Sequence, residues 1–398
     1  MRILIAPNAF KNSLSAALAA QAIATGIRQS ELQCTCTLFP VGDGGDGTAA
    51  LLTAQLGGES ISAVSHDALG REIEASFGLI GAGRTAMVEL AEASGLRRLS
   101  RDELEPLRAT SFGTGELILA AVDRGARTMV LAVGGSATTD AATGLLHAFG
   151  VRFLDSAGNR LTQIPAELDQ LASIDCRALD SRIAQATFTV LCDVDNILLG
   201  PRGAAAIFAP QKGASSADVQ ILEARLARFR DSVLRATGKD IGAVAGGGAA
   251  GGAAAGLHGV LGATLSKGIE YFLDATAFDT AIGSADLVIT GEGALDEQTL
   301  QGKAPYGVAK RAKGRNLPVI GLCGSVPAEA SAELRQWFDA MLPISPPGLS
   351  TEAALRATAQ NLTLTAMQLG NTLAQSGRTA LQPGGIRALF ASSHALNV

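Results

Sequence analysis

Short apolar runs alternate with amphipathic stretches at both ends of the chain. Residues 3–6 are an apolar run, and residues 15–28 carry helix formers at helical period, with Ser13 or Ser15 able to cap them. Residues 37–41 predict a second strand and 48–56 a second helix, which Gly57-Gly58 ends. The grammar then changes. Residues 61–64, 73–79 and 86–90 are β-type runs separated by turn residues with no helix between them, an antiparallel signature. Alternation returns with a helix over 115–124, a strand over 129–133, a helix over 139–149 and a strand over 187–192. Residues 217–236 predict a charged amphipathic helix, and the glycine-rich stretch 245–261 turns helical around Ala253. From residue 285 the rhythm is strand 286–289, helix 302–313, strand 318–323, helix 328–337, strand 340–344 and one long helix 351–375.

Strands that alternate with helices imply a parallel sheet covered on both faces. The two ends share that pattern and the middle does not. The fold class is therefore α/β with two domains. Residues 1–60 and 285–398 predict a discontinuous, Rossmann-like, doubly wound parallel sheet. Residues 61–284 predict an inserted α/β domain with a mixed sheet. Ligands in such folds sit beyond the carboxyl ends of strands, so the active site is expected in a cleft between the domains.

Composition narrows the function classes. Glycine accounts for 47 of 398 residues, about 12% against a usual ~7%, without the period of collagen. Net charge is −5 and aromatics are 4% of the chain, so neither a basic footprint nor a stacking platform for nucleic acid exists. Five scattered cysteines suit a reducing compartment. The four histidines are isolated and offer no H-x-x-x-H metal helix. No signal-peptide h-region and no membrane span is present in the sequence, and the expected setting is cytoplasmic.

The loops at the strand ends carry the chemistry. Five of them read PNAFKNS (7–13), GDGGDGT (42–48), GGSATTD (134–140), DVDN (193–196) and TGEGALD (290–296). Glycines, hydroxyls and a succeeding helix suit the loop at Gly134, Gly135 and Ser136 to a polyphosphate. The aspartates of 42–48 repel phosphate and suit a substrate hydroxyl, a lysine, a metal or a helix cap. Of only seven lysines, Lys11, Lys212 and Lys303 lie beside strand-end or glycine loops, where a lysine holds a carboxylate or neutralises phosphoryl charge. Asp193 and Asp296 are open to Mg²⁺ ligation, to accepting a hydroxyl proton, or to plain turn capping. No G-x-x-x-x-G-K-[ST] occurs. Gly246-x-Gly248-x-x-Gly251 matches a dinucleotide fingerprint but lacks its βαβ context, which leaves close helix packing as the better account and a nicotinamide-dependent dehydrogenase as a weak alternative.

Taken in order, the segments IAPNAFKNSLSA, PVGDGGDGT, GGSATTD, CDVDN, APQKGA, GGAAGG and DLVITGEGALDEQTLQGKAP resemble the bacterial type glycerate kinase family. The resemblance implies ATP and Mg²⁺ as cofactors, glycerate or a similar hydroxy acid as substrate, and 2-phosphoglycerate as product. On it, Lys11, Ser13, Asp43 and Lys303 are expected at the substrate. Gly134, Gly135, Ser136, Gly291, Glu292 and Gly293 are expected at the nucleotide. Asp193 and Asp296 are expected at the metal, and Lys11, Asp193 and Asp296 in catalysis, with the two aspartates' roles unassigned. The chain departs from the family pattern at four places. It has NAFKNS (8–13) for DSFKGS, GGDGT (44–48) for GGEGT, ATTDAA (137–142) for ATNDGG, and Ala294 for an arginine. Loss of an acid at 8 and of a cation at 294 reads as a compensated pair or as an altered substrate. The alternatives are thus a paralogous kinase for another sugar acid, or a catalytically weak, ligand-sensing relative.

Overall fold

The computed structural model describes residues 1–327, 329–346, 348–376 and 384–391. The chain divides into two compact units, Met1–Asp43 with Ile269–Val398, and Gly44–Gly268.

The first unit is built on a five-stranded, wholly parallel sheet. Arg2–Ile5 lies between Thr35–Leu38 and Leu287–Thr290, and Val319–Cys323 and Ala340–Pro343 extend the sheet beyond the latter. Ile3 aligns with Leu287 on one side and Cys36 on the other, so both chain ends share one ladder. Alternate residues bury to opposite faces. Ile3, Ile5, Ile289 and Leu322 join the cluster under helices Ala16–Gln29 and Thr358–Ser376, while Leu4 and Val288 are buried as well, as a sheet covered on both faces requires. The strand order reverses between Arg2–Ile5 and Leu287–Thr290, which makes their carboxyl ends the switch point of the sheet.

The second unit carries a six-stranded mixed sheet in the order Thr264–Ser266, Thr187–Leu191, Thr128–Ala132, Thr85–Glu89, Glu72–Ile80, Glu59–His66. The first four are mutually parallel and the last two antiparallel to their neighbours. A two-stranded ribbon, Arg152–Leu154 with Ser173–Asp175, was not visible as a sequence pattern. Among the described residues, no helix is long and apolar enough to cross a membrane.

Several boundaries move relative to the sequence pattern. The unit limits fall near 43 and 268, where the pattern put its changes at 60 and 285. Helix Thr48–Gln55 packs on strands Glu72–Ile80 and Thr85–Glu89. Residues 269–282 are tied to the first unit by Arg311, which pairs with Glu270, Asp274 and Asp279, and by the edge-on contact of Phe278 with Phe39 at 5.1 Å. The helix expected over 139–149 spans only Thr143–Ala148, because Asp140 folds back to cap it. The long helix expected over 351–375 breaks into Thr351–Arg356 and Thr358–Ser376, where the Thr358 hydroxyl bonds the carbonyls of Ala354 and Leu355. The helix expected from 328 begins at Ala332, and residue 328 lies outside the described residues.

Candidate functional site

In the first unit, the loops that leave the two switch-point strands are stitched together. The Asn8 N–H donates to Gly291 O at 2.8 Å, and the Thr290 hydroxyl donates to Ala6 O at 2.8 Å. These bonds bring Asn8 beside the loop that carries Glu292. The Asn8 side-chain amide donates to Asp43 Oδ2 at 2.7 Å. The amide thus supplies a donor where the family pattern has a second carboxylate.

Glu292 is the centre of this group. It is 7% exposed, accepts from the Thr299 hydroxyl at 2.7 Å, and lies 3.7 Å from Lys303 Nζ. Burial pushes its carboxyl up to about 7; Lys303 and the Thr299 bond act against this, and the charges of Asp43 and Asp296 add to it. A carboxyl that is about half ionised near neutrality is suited to taking and returning a proton. Asp296 accepts from the Gln298 N–H at 2.9 Å, a turn-capping contact that occupies one of its oxygens. Ser13 donates to the carbonyl of Leu355 at 2.5 Å, which ties the first loop to the C-terminal helices. Lys11 is exposed.

In the second unit, residues 44–48 and the loop 134–140 pack on each other. The Gly134 N–H donates to Gly44 O at 3.0 Å, so it is already used within the fold. Gly135 has φ +69°, and a Cβ there would stand 2.2 Å from Asp46 Oδ1. Its glycine is needed for both backbone and space. The Gly47 N–H reaches both oxygens of Glu89, at 3.0 and 2.9 Å. Burial pushes Glu89 up to about 7, opposed by the Gly47 bond and Arg97.

Ser136 accepts from Lys212 Nζ at 2.8 Å, and the same ammonium donates to Thr138 O at 2.5 Å. Asp140 is fully buried and accepts from the Ser111 N–H (2.9 Å), the Ser111 hydroxyl (2.7 Å), the Gly144 N–H and the Ala142 N–H (both 3.2 Å). Gly251, with φ +63°, brings its backbone against this loop, where a Cβ would lie 2.2 Å from Thr138 O. The glycine tract that matched a dinucleotide fingerprint therefore serves close packing. Asp193 accepts from the Gly268 N–H at 3.0 Å, and neighbouring Asp195 pairs with Lys267 at 2.9 Å.

The structure thus gathers Asp43, Glu292, Asp296 and Lys303 in one unit, and Gly134, Gly135 and Ser136 in the other, with Lys212 as their fixed cation. Sequence reasoning missed Glu89, Thr299 and Ser111. Glu89 lies one residue short of the end of the predicted run 86–90, so a survey of residues around every strand end would have reached it; Thr299 and Ser111 act through partners that only the fold supplies. Among the described residues no three histidine, cysteine, aspartate or glutamate side chains cluster as a metal cage. Mg²⁺ in nucleotide enzymes needs only one or two carboxylates, because phosphates and waters fill its other positions.

The family model described as "Glycerate kinase family" matches residues 3–374. A glycerate kinase of Bacillus subtilis (strain 168) is 42% identical over 373 residues, covering 94% of this chain and 98% of its own. The glycerate 2-kinase of Escherichia coli (strain K12) is 39% identical over 380 residues, covering 96% and 100%. A crystal structure of a protein designated glycerate kinase 2 from Salmonella typhimurium LT2 superimposes with a TM-score of 0.79 at 39% identity, over 94% of this chain and 98% of that one.

Proposed function

The chain belongs to the glycerate kinase family, and on that premise we propose that it transfers the γ-phosphoryl group of ATP to a hydroxyl of D-glycerate, giving 2-phosphoglycerate and ADP. The observation that carries the reading is the group at the switch point, where Glu292 and Asp43 sit with Lys303 in reach. The hydroxyl oxygen bonds to the γ-phosphorus as the bond to the bridging oxygen of ADP breaks, and the hydroxyl proton passes to a carboxylate. Such transfer asks the protein for positioning and charge stabilisation above all.

Lys11 and Lys303 supply charge for the carboxylate of the substrate or for the moving phosphoryl group, with Ser13 and Asp43 positioning the substrate. The loops at Gly134, Gly135 and Ser136 and at Gly291, Glu292 and Gly293 take the nucleotide. Asp193 and Asp296 are the carboxylates for Mg²⁺ and for the proton, and Glu292, poised near neutrality, is a further acceptor. Mg²⁺, when bound, neutralises phosphate charge. The substrate is a small molecule, with no nucleic acid or membrane involved. Five scattered thiols suit a reducing, cytoplasmic setting.

A second acceptor is favoured by one observation. The neutral Asn8 amide on Asp43 alters the hydrogen-bonding face that the family pattern would present, which suits a related sugar acid. ATP consumption with D-glycerate, L-glycerate, erythronate and tartronate, combined with NMR of the product, tests both. Preferred turnover of D-glycerate with phosphate on C2 supports the first reading. Preference for a longer acid supports the second, and no Mg²⁺-dependent turnover on any of the four refutes both.

A further inference from the structure

The loop after strand Thr128–Ala132 holds an arrangement that packing does not explain. Lys212 is 2% exposed, and among the described residues no carboxylate comes within ion-pairing distance of it. Its ammonium donates to Ser136 Oγ and Thr138 O, which uses two of its three N–H bonds. Thr138 and Thr139 are 0% and 2% exposed, and their hydroxyls are buried without any hydrogen-bond partner. Buried hydroxyls are normally satisfied, because an unmade bond in the interior destabilises the fold. Both stand on residues that follow Ser136, in the loop to which the Lys212 ammonium is bonded.

The loop is nevertheless held firmly in place. Leu96 N–H donates to Gly135 O, Ala137 N–H to Ser94 O and Ala141 N–H to Gly251 O, all between 2.9 and 3.0 Å. Asp140 is fixed by Ser111 and by the N–H groups of Ala142 and Gly144. The backbone is therefore set while the Thr138 and Thr139 donors remain unpaired. A phosphate group offers what the set lacks: negative charge for the ammonium and several acceptor oxygens for hydroxyls.

We propose that Lys212, Ser136, Thr138 and Thr139 form a phosphate-binding subsite, which holds a phosphoryl group of the nucleotide or of the phosphorylated product. This deepens the phosphotransfer reading and rests on it. The subsite also has a charge consequence. Burial pushes the Lys212 ammonium down to about 7, with Asp140, the charged group set against it, acting in the opposite direction. Near pH 7 the lysine is thus partly neutral, and a phosphate arriving beside it draws a proton from solvent.

Thr138→Val and Thr139→Val in the full chain test the subsite, because valine keeps the shape and removes only the hydroxyl. Titration calorimetry with ADP and with 2-phosphoglycerate identifies which phosphate is held, and adenosine is the phosphate-free control. The expected result is a Kd raised about 10–100-fold, the effect of one hydrogen bond to a charged group, for at least one phosphate ligand, with adenosine binding unchanged. Thermal stability should stay level or rise, since no bond is lost in the ligand-free protein. Wild-type binding at pH 7 should also take up protons, read as a heat that changes with the ionisation enthalpy of the buffer. Both Kd values within threefold of wild type in both variants would overturn the subsite, whatever the melting temperature does. Wild-type turnover with unchanged variant affinities removes the subsite and leaves the kinase reading. No turnover by wild type, with ADP affinity lost in the variants, removes that reading and leaves the subsite.

Discussion

Glu292→Gln tests the electrostatics of the switch-point group by stability alone. In the folded protein this carboxyl sits at about 7, against an ordinary 4.5. One pK step corresponds to about 1.4 kcal/mol, so the ionised form is disfavoured by about 3 kcal/mol in the folded state. The sign is the reverse of a salt-bridged acid. Between 4.5 and about 7 the folded protein keeps a proton that the unfolded chain has released. Stability from this group is present at low pH, falls across that window, and is fully lost above it. From pH 5 to pH 8 the wild type should lose about 2.5 kcal/mol through Glu292. Glutamine still accepts from Thr299 and carries no charge, so the variant lacks this component. Trp337 is the only tryptophan and packs on Tyr306 at 5.1 Å within the first unit, so its fluorescence reports unfolding of the unit that holds the mutation. Urea titrations of both proteins at pH 5 and pH 8 give a double difference, in which other titrating groups, Glu89 included, cancel. A double difference under ~0.5 kcal/mol would show that Glu292 is ordinarily acidic and that its burial has been misjudged. Activity should move oppositely: kcat/KM of the wild type should rise as pH passes about 7, and the variant should be slower and lack that rise.

Further variants at four positions carry expected outcomes. Lys11→Ala should lower kcat/KM for glycerate about 10²–10³-fold, as loss of one preorganised charge does, while ATP affinity and the melting temperature hold; Asp296→Asn should instead lower kcat and alter the Mg²⁺ dependence, and steady-state kinetics separate the two. Asp140→Asn sets an amide against buried donors, and should destabilise by about 2–4 kcal/mol in urea unfolding. Ala142 has φ +61°; Ala142→Gly should stabilise by up to ~1 kcal/mol, the left-handed penalty less the entropy of glycine, whereas Ala142→Val should destabilise by more than ~2 kcal/mol.

The parallel strands were legible because they are buried on both faces, so 287–289 and 318–323 read as unbroken apolar runs. The loops after them were legible for the same reason, since a run's end marks where a site can stand. The departures from the family pattern were only half legible. Asn12, Ala141 and Ala142 replace glycines of that pattern, and each keeps a positive φ of 62°, 49° and 61°. They change side-chain content without releasing the backbone shape, which no reading of residue types reveals. Asn8 looked like a lost charge, and the structure shows it as a gained donor to Asp43. Least legible were the partnerships Ser111–Asp140 and Gly47–Glu89, because sequence separations of 29 and 42 leave no periodic trace. Glu292 was named from its loop, but its protonation comes from burial, which a sequence does not display.

The shared ladder of the chain ends has a consequence during synthesis. Gly44–Gly268 is one contiguous stretch and can close its own core as it leaves the ribosome. Arg2–Ile5 and Thr35–Leu38 emerge first, yet the next strand of their sheet begins at Leu287. At ~5–20 residues per second, the early pair waits on the order of 10–50 s with Ile3 and Ile5 lacking the neighbours that later bury them. Through that interval its open edge is a template for any other extended chain. The N-terminal strand–helix–strand segment is therefore where nascent-chain aggregation should begin, and where a holding chaperone would have most to protect.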